Sequence, residues 1–384
     1  MNLEIDWEEV RRDYPVTASA AYLNSAAAGP VMRQAGNAAT SFYSEMMEEG
    51  DARWEEWLDR RERVRESVAR FINAEPCEIA FTTNTSSGMN LIADALTGRG
   101  AVISCDLEFP VTTWPWIHRG CGLELVAARE RGGVVEAEDV RRAMNARTGI
   151  IALSHVQYSN GLRSPLEEIG EIKGSHAFVV NASQSAGALS LDVKRMKIDA
   201  LCATGHKWMT AGYGSGFVYL SRELLAETRP RAIGWLSVSD PFRLFYGNDF
   251  EVRRDAAARA EPGCPHFAGI FALGACVNRF MEIGTGKIEA RVLELNRRLT
   301  ERVHEAGWRV LSPLKSEATR SAETLVAAAE PKALTEHLFS RGIPVTEKAE
   351  GIRVSTHLFN NDDDIARLIE AMKESAEGRV QNDE

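Results

Sequence analysis

The sequence predicts an α/β chain: a mostly parallel sheet with helices over both faces, followed by a smaller α+β unit. Three observations lead there. Short apolar runs of strand character alternate with segments of helical periodicity, the pattern of successive βαβ units. At 384 residues, 44% of them apolar, the chain has a globular composition and exceeds the ~250–300 residues at which single cores stop growing. Beyond about residue 245 the alternation gives way to long helices separating few strands.

From Glu45 to Asn73, Trp54, Trp57, Leu58, Val64, Val68 and Phe71 recur mainly at steps of three and four, which predicts helix. A short strand from Ile79 to Thr82 follows, and a hydroxyl-rich turn, Thr83 to Ser87, opens a helix over Gly88–Leu96. Strands are expected at AVISC (101–105), LELVA (123–127), GIIALSHV (149–156), AFVVN (177–181) and DALCAT (199–204). Helical stretches such as Glu136–Asn145 and Pro165–Ile172 separate several of them. The run FVYLS after Gly216 is one more strand. Its link is too short for a crossover, so it should lie antiparallel to its neighbour. A long helix, Lys287 to Ala306, leads into WRVLS, TLVAAA, a helix Lys332–Arg341, a strand near Ile352–Ser355 and a last helix to Glu374. Asp362, Asp363 and Asp364 precede the apolar-periodic IARLIEAM and read as helix N-terminal charge rather than a cation site. The tail Glu377–Glu384 is polar and expected to fray. The division expected is an N-terminal segment over 1–20 that packs with the small domain, a large domain over 21–245 and a small α+β domain over 246–384.

Forty-five basic and 55 acidic side chains leave a net charge of −10, which disfavours nucleic acid as a partner because binding needs a basic field. No apolar run approaches the ~20 residues of a membrane span. The opening MNLEIDWEEVRRDYP is acidic, without the apolar stretch of a secretory leader, so a cytoplasmic protein is expected. Six cysteines lie far apart without a C-x-x-C pair, and eight histidines show no H-E-x-x-H spacing. A disulfide framework and a dedicated metal site are not expected.

Four features carry chemistry. In Thr204-Gly-His-Lys-Trp-Met-Thr-Ala-Gly-Tyr-Gly-Ser-Gly216, Lys207 follows an apolar strand and precedes glycines that let the backbone approach a ligand closely. A lysine at the edge of a core has a depressed pKa, as Schiff-base chemistry requires, since the neutral amine is the nucleophile. A lysine in a surface loop is the competing interpretation. The glycines are not a phosphate loop of the G-K-[ST] kind, because the lysine precedes them. The turn Asn84-Thr85-Ser86-Ser87 combines short hydroxyls with a helix N-terminus, and could be an anion cup or a simple cap. Asn181 and Gln184 follow the carboxyl end of an apolar strand, where open α/β sheets bind ligands. Glu108-Phe-Pro-Val-Thr-Thr-Trp-Pro-Trp116 places aromatic rings after another strand, for stacking on a planar ring or for packing. Trp114, Trp116, Trp208 and Trp235 either line a bulky pocket or pack in the core.

In this order, these elements resemble the class V aminotransferase family of fold-type I enzymes, which includes cysteine desulfurases, kynureninase and isopenicillin N epimerase-like proteins. The resemblance runs from Tyr22-Leu-Asn-Ser-Ala-Ala27 to Arg353, and Thr-Gly-His-Lys with its glycine run is its most specific part. It implies a fold-type I transferase fold, with a seven-stranded-type sheet in a large cofactor-binding domain, and pyridoxal 5′-phosphate held as a Schiff base on Lys207. It also implies an amino-acid-like substrate and a homodimer with phosphate contact across the interface. By the same resemblance Thr204, His206, Thr85 and Ser86 bind phosphate and Phe109 stacks on the pyridine ring, where desulfurases commonly use histidine. Gln184 and Tyr158 face the phenolic oxygen. Arg353, with Asn24, meets the substrate carboxylate, for which a bidentate guanidinium is suited.

Three departures stand out. Asn181 occupies the place of the family's aspartate, which keeps the pyridine nitrogen protonated, so a weaker electron sink is expected. Cys264 and His266 replace threonine and asparagine in the segment Glu261-Pro-Gly-Cys-Pro-His266 that reaches the neighbouring subunit's phosphate. The stretch IPVTEKAEGIR (343–353) contains no cysteine, whereas desulfurases carry a sulfur-accepting one there, so desulfurase activity is not expected. The function expected is therefore a pyridoxal-phosphate enzyme acting at Cα, foremost an aminotransferase. An epimerase or β/γ-lyase on the same fold, a degenerate cofactor-binding protein without turnover, and a nucleotide binder using Gly212 to Gly216 are the alternatives.

Overall fold

Apolar runs that end in polar residues become neighbouring parallel strands. The protein is described by a computed structural model covering residues 5–243, 249–314 and 316–380, with side chains up to residue 375. The first sheet comprises β1 (Ile79–Phe81), β2 (Ala101–Cys105), β3 (Leu123–Val126), β4 (Thr148–Ser154), β5 (Ala177–Asn181), β6 (Ala200–Thr204) and β7 (Gly216–Leu220). Their order is β1-β7-β6-β5-β4-β2-β3. β7 runs against both neighbours, β1 and β6, as the short link before it requires, and the other pairs are parallel. This is the mixed α/β arrangement with a mostly parallel seven-stranded sheet that the sequence predicts.

Every residue of β4, β5, β6 and β7 is buried, because helices cover both faces. Alternate side chains separate the two cores. Ile151, Leu153, Phe178, Val180, Leu201 and Ala203 join one core with the helices Arg33–Glu49, Trp54–Phe71 and Phe267–Ile283. Ile150, Ala152, Val179 and Cys202 face the other, with Met89, Ile92 and Leu96 of the helix Thr85–Leu96. Each of those three apolar side chains contributes about 1.5–3 kcal/mol by burial. Gly88 lets this helix lie close to the sheet, since a Cβ there would collide with Cys202 Sγ.

A second sheet, β8 (Glu323–Ala327), β9 (Thr346–Lys348) and β10 (Gly351–Ser355), has the order β8-β10-β9 and is antiparallel. It shares a core with the helices Thr285–Glu305, Pro331–Ser340 and Asp362–Val380. The N-terminal segment runs beside it. Ala21 N donates to Gly342 O, Ser355 N to Leu23 O, and Arg11 pairs with Asp364 at 2.7 Å. Asn24 thereby bridges to Ser355, the last residue of the strand that carries Arg353.

Several expectations from the sequence are revised. The helical pattern from Glu45 to Asn73 is two helices, because Gly50 takes φ 64° and ends the first. The helix expected at Gly88 starts at Thr85, capped by Asn84 Oδ1 accepting from Ser87 N at 2.9 Å. The aromatic segment after β2 is itself a helix, Pro110–His118, with Pro110 in its first turn and Pro115 inside. WRVLS forms only an isolated bridge, Val310 to Val326. The helix Phe267–Ile283 went unpredicted because it is buried nearly all round and shows no amphipathic period. Asp362, Asp363 and Asp364 do open a helix, the last one. The expected boundary at 245–246, residues 1–4 of the N-terminal segment and the end of the polar tail, 381–384, lie outside the described residues. Among the described residues no single helix is long and apolar enough to cross a membrane.

Candidate active site

Parallel strands place their carboxyl ends along one edge, and β1, two antiparallel steps from β6, shares their direction. Loops from β1, β2, β4, β5 and β6 converge there on a cavity of about 250 Å³. Lys207, His206, Asn181 and Gln184 line it together with Thr85 and Ser86. Phe109 and Tyr158 complete the wall, their rings meeting edge to face at 5.0 Å.

Lys207 sits in the turn after β6. Its backbone is closely packed: a Cβ on Gly29 would collide with Lys207 O, and one on Gly205 with Ser215 Oγ. Loss of water around the amine, then the charge of Arg353, lowers its pKa to about 8; Glu323 opposes this, and Lys348 adds a smaller push in the same direction as Arg353. His206 stacks on Tyr213 at 4.6 Å. Desolvation, then the charge of Lys207, lowers the imidazole pKa to about 4, so the ring is neutral at pH 7. Thr204 Oγ1 engages His206 Nδ1 at 2.7 Å, which leaves Nε2 as the nitrogen available to a ligand. Thr204 itself is buried behind the cavity.

The helix Thr85–Leu96 points its N-terminus into the cavity with Thr85 and Ser86 in the first turn, an arrangement that favours an anion. Thr85 Oγ1 lies 2.7 Å from Ser183 Oγ. Asn181 is buried at the end of β5. Gln184 donates to Ala26 O at 3.0 Å and accepts from Trp208 Nε1 at 2.8 Å. Glu108 binds β2 to β4 by accepting from Ser154 N, Ser154 Oγ and Gln157 Nε2 at 2.6, 2.5 and 2.7 Å, which orients the adjacent Phe109. Burial raises its pKa against those hydrogen bonds.

Arg353 approaches from the second sheet. Register makes Leu325 and Thr346 its direct partners across β8 and β9, so Glu323 and Lys348 are diagonal neighbours on the same face. Arg353 Nη1 lies 3.3 Å from Tyr158 O and 3.4 Å from Glu323 Oε2, and Nη2 lies 3.5 Å from Thr346 Oγ1. Thr346 Oγ1 also donates to Asn24 Oδ1 at 2.5 Å. Lys348 Nζ stands 4.3 Å above the Tyr158 ring. Desolvation, then Arg353, brings its pKa to about 8.

Cys264 is not in the cavity. It is exposed in an adjoining hollow of about 470 Å³, on the other side of the helix start, with Thr83, Ser87 and His266. None of the four tryptophans singled out in the sequence lines the cavity. Trp116 and Trp208 are buried and support Thr112 O and Gln184 Oε1, Trp114 is exposed, and Trp235 stacks on Trp54.

Sequence reasoning missed Glu323, Lys348, Thr346 and Ser183. For Glu323 a signal existed, a carboxylate at the head of the apolar run ETLVA. The others had none.

The family profile described as Aminotransferase class-V matches residues 21–368. The chain belongs to that family. A probable cysteine desulfurase of Methanothermobacter thermautotrophicus is 30% identical over 308 residues, 77% of this chain and 74% of that protein. Isopenicillin N epimerase of Streptomyces clavuligerus is 28% identical over 397 residues, 96% of this chain and 98% of that one. The apo structure of a cysteine desulfurase from Thermococcus onnurineus NA1 matches with a TM-score of 0.88 at 25% identity, over 98% of this chain and 99% of that chain. Class V aminotransferases are pyridoxal-phosphate-dependent enzymes, and pyridoxal 5′-phosphate is the cofactor here. The cavity fits it: a desolvated primary amine, a hydroxyl-bearing helix N-terminus and a buried amide all face one space.

Proposed function

We propose that this class V protein acts at Cα of an amino-acid-like substrate and that transamination is its reaction. The observation that carries this reading is Lys207, an amine with a pKa near 8 in a cavity adjoining a buried arginine. Bound pyridoxal phosphate supplies an electron sink for the Cα–H bond. Lys207 Nζ would hold the cofactor through its aldehyde carbon and would carry the proton to and from the substrate Cα. Thr85, Ser86 and His206 would hold the phosphate, Ser86 through the free end of the helix and His206 through Nε2, with Thr204 fixing the His206 ring through Nδ1. Phe109 would cover the ring, and Tyr158 and Gln184 would serve its phenolic oxygen. Arg353, with Asn24 positioning Thr346, receives the substrate carboxylate.

Epimerisation or β/γ-elimination would use the same residues, and the epimerase likeness over nearly the full chain keeps epimerisation as the second reading. Desulfurase chemistry is the weaker one despite the desulfurase relatives. Residues 343–353 carry no cysteine, and Cys105, hydrogen-bonded to Glu108 near the cavity, is buried. The working form we propose is a cytoplasmic homodimer in which the Cys264–His266 segment approaches the neighbouring subunit's phosphate. The six cysteines, none of them disulfide-bonded, suit a reducing compartment.

The test is a panel of amino acids with a 2-oxo acid. Conversion of the cofactor to its amine form with transfer to the oxo acid supports transamination. Racemisation or solvent deuterium exchange without that conversion would replace it by epimerisation.

A further inference from the structure

The Arg353–Glu323 pair is buried and poorly satisfied. Glu323 is 1% exposed and Arg353 5% exposed. Neither oxygen of Glu323 has a hydrogen-bond partner, and Arg353 Nε has none either. Their closest approach is 3.4 Å, and the other contacts of Arg353 are 3.3 and 3.5 Å. A bidentate arginine–carboxylate pair closes to about 2.7–2.9 Å, so these two groups leave hydrogen-bonding capacity open on the face that borders Lys207. A buried ion pair with so few hydrogen bonds is a poor stabilising device, and a ligand would satisfy it.

The charged groups facing Glu323 are Arg353 on β10, Lys348 on β9 and Lys207 after β6. A substrate carboxylate that enters to meet Arg353 takes up the charge that holds Glu323 ionised and adds a negative charge beside it. Two buried carboxylates in such proximity cannot both stay ionised, and one of them takes a proton.

We propose that Glu323 is the second half of the substrate-carboxylate receptor. It takes one proton from solvent when a carboxylate binds Arg353 and donates a hydrogen bond to that ligand. It returns the proton, and the ion pair re-forms, when the ligand leaves. Glu323 is thus a specificity residue. It admits a carboxylate at the cost of a proton and disfavours dianionic head groups such as phosphonates, which would need to share the same single donor. Burial already biases it this way, since desolvation raises its pKa against the lowering pull of Arg353, Lys207 and Lys348.

This inference rests on the reading of Arg353 as the carboxylate site. The holoenzyme is titrated with propionate, a carboxylate without an amino group, by calorimetry at pH 7 in two buffers of different ionisation enthalpy. Expected is an uptake of about one proton per propionate in the wild type and close to none in Glu323→Gln. The glutamine can donate the same hydrogen bond, so this variant should bind propionate with an affinity independent of pH, while wild-type affinity falls as pH rises, toward tenfold per unit. Retained cofactor absorbance certifies the variant's fold. No proton uptake by the wild type, or equal uptake by Glu323→Gln, overturns the proposal for Glu323. Undiminished propionate binding by Arg353→Ala instead removes the Arg353 reading, and the receptor with it. The wild-type proton count needs no variant at all.

Discussion

Asn181 Nδ2 donates to Thr112 Oγ1 at 3.0 Å, while Asn181 Oδ1 accepts from Ser183 N at 3.1 Å. Both ends of the amide are therefore committed to protein groups, and the side chain that ends β5 enters the cavity uncharged. An aspartate would keep the bond from Ser183 N, while the Thr112 hydroxyl, which also hydrogen-bonds Glu108, would have to turn to donate to it. Asn181→Asp should place a negative charge where a pyridine nitrogen would lie and raise that nitrogen's pKa by about 1–3 units. The expected outcome is a changed pH dependence of the cofactor's absorbance and about tenfold faster exchange of Cα–H with solvent. Identical spectra and rates across pH would show that the amide already serves as well as a carboxylate.

Cofactor attachment should follow the titration of Lys207. Its amine is protonated below about pH 8 and nucleophilic above. The rate at which cofactor-free protein develops imine absorbance with pyridoxal phosphate should rise about tenfold per unit from pH 6 and level off beyond 8. Lys207→Ala should give no pyridoxyl adduct on borohydride reduction. An adduct elsewhere, or a rate flat in pH, would contradict the assignment.

Replacing Arg353 by lysine keeps the charge and removes the fork. With a charged hydrogen bond worth about 1.5–3 kcal/mol, Arg353→Lys should raise KM for the amino-acid substrate by about 10- to 100-fold while absorbance of the bound cofactor stays unchanged. A KM within twofold of wild type would mean that the carboxylate lies elsewhere.

The segment leading to Cys264 and His266 is anchored by a buried pair. Arg65 Nη1 and Nη2 meet Glu261 Oε1 and Oε2 at 2.7 and 3.0 Å, and Glu261 Oε1 also accepts from Phe81 N of β1 at 2.8 Å. Arg65→Ala leaves the glutamate only the longer contact to Arg61 at 3.8 Å and the Phe81 N–H, at a cost of up to about 3–5 kcal/mol. A lower urea midpoint is expected, partly restored by adding Glu261→Gln. An unchanged midpoint would rule out the anchor.

Incubation with cysteine should leave no persulfide on the β9–β10 segment, which holds no cysteine. Mass spectrometry after trapping with an alkylating agent reads this directly, and the Cys264→Ser variant should process substrate at rates within about twofold of wild type, because serine keeps a small donor in a segment that lines no part of this chain's own cavity. A trapped persulfide on any residue during steady turnover of cysteine would revive the desulfurase reading.

The elements legible in the sequence were those with local signatures. AFVVN and the strand before Thr204 were continuous apolar runs bounded by polar residues, and a polar side chain at the end of such a run reads as a site. Lys207, Asn181 and Gln184 were singled out in that way, and Thr85 by its hydroxyl-rich turn before a helix; all four line the cavity. The start of the helix at Thr85 was misplaced because threonine and serine suit caps and first turns equally, and Asn84 took the cap. The helix Phe267–Ile283 left no period to detect, since its neighbours bury almost its whole circumference.

Local chemistry and order along the chain were enough to specify the alternating layers, the antiparallel β7 and the lysine turn, because each depends on residues close together in sequence. The partnership of Arg353 with Glu323 and Lys348 was decided only by tertiary structure. It depends on the register of three antiparallel strands, where a shift of one residue would turn every side chain to the opposite face. The same holds for Thr85 and Ser183, which meet because two distant strand ends share an edge of the sheet, and for Cys264, which lies on the far side of the helix start. Burial and charge at those meeting points belong to the packed molecule, so composition and spacing do not encode them.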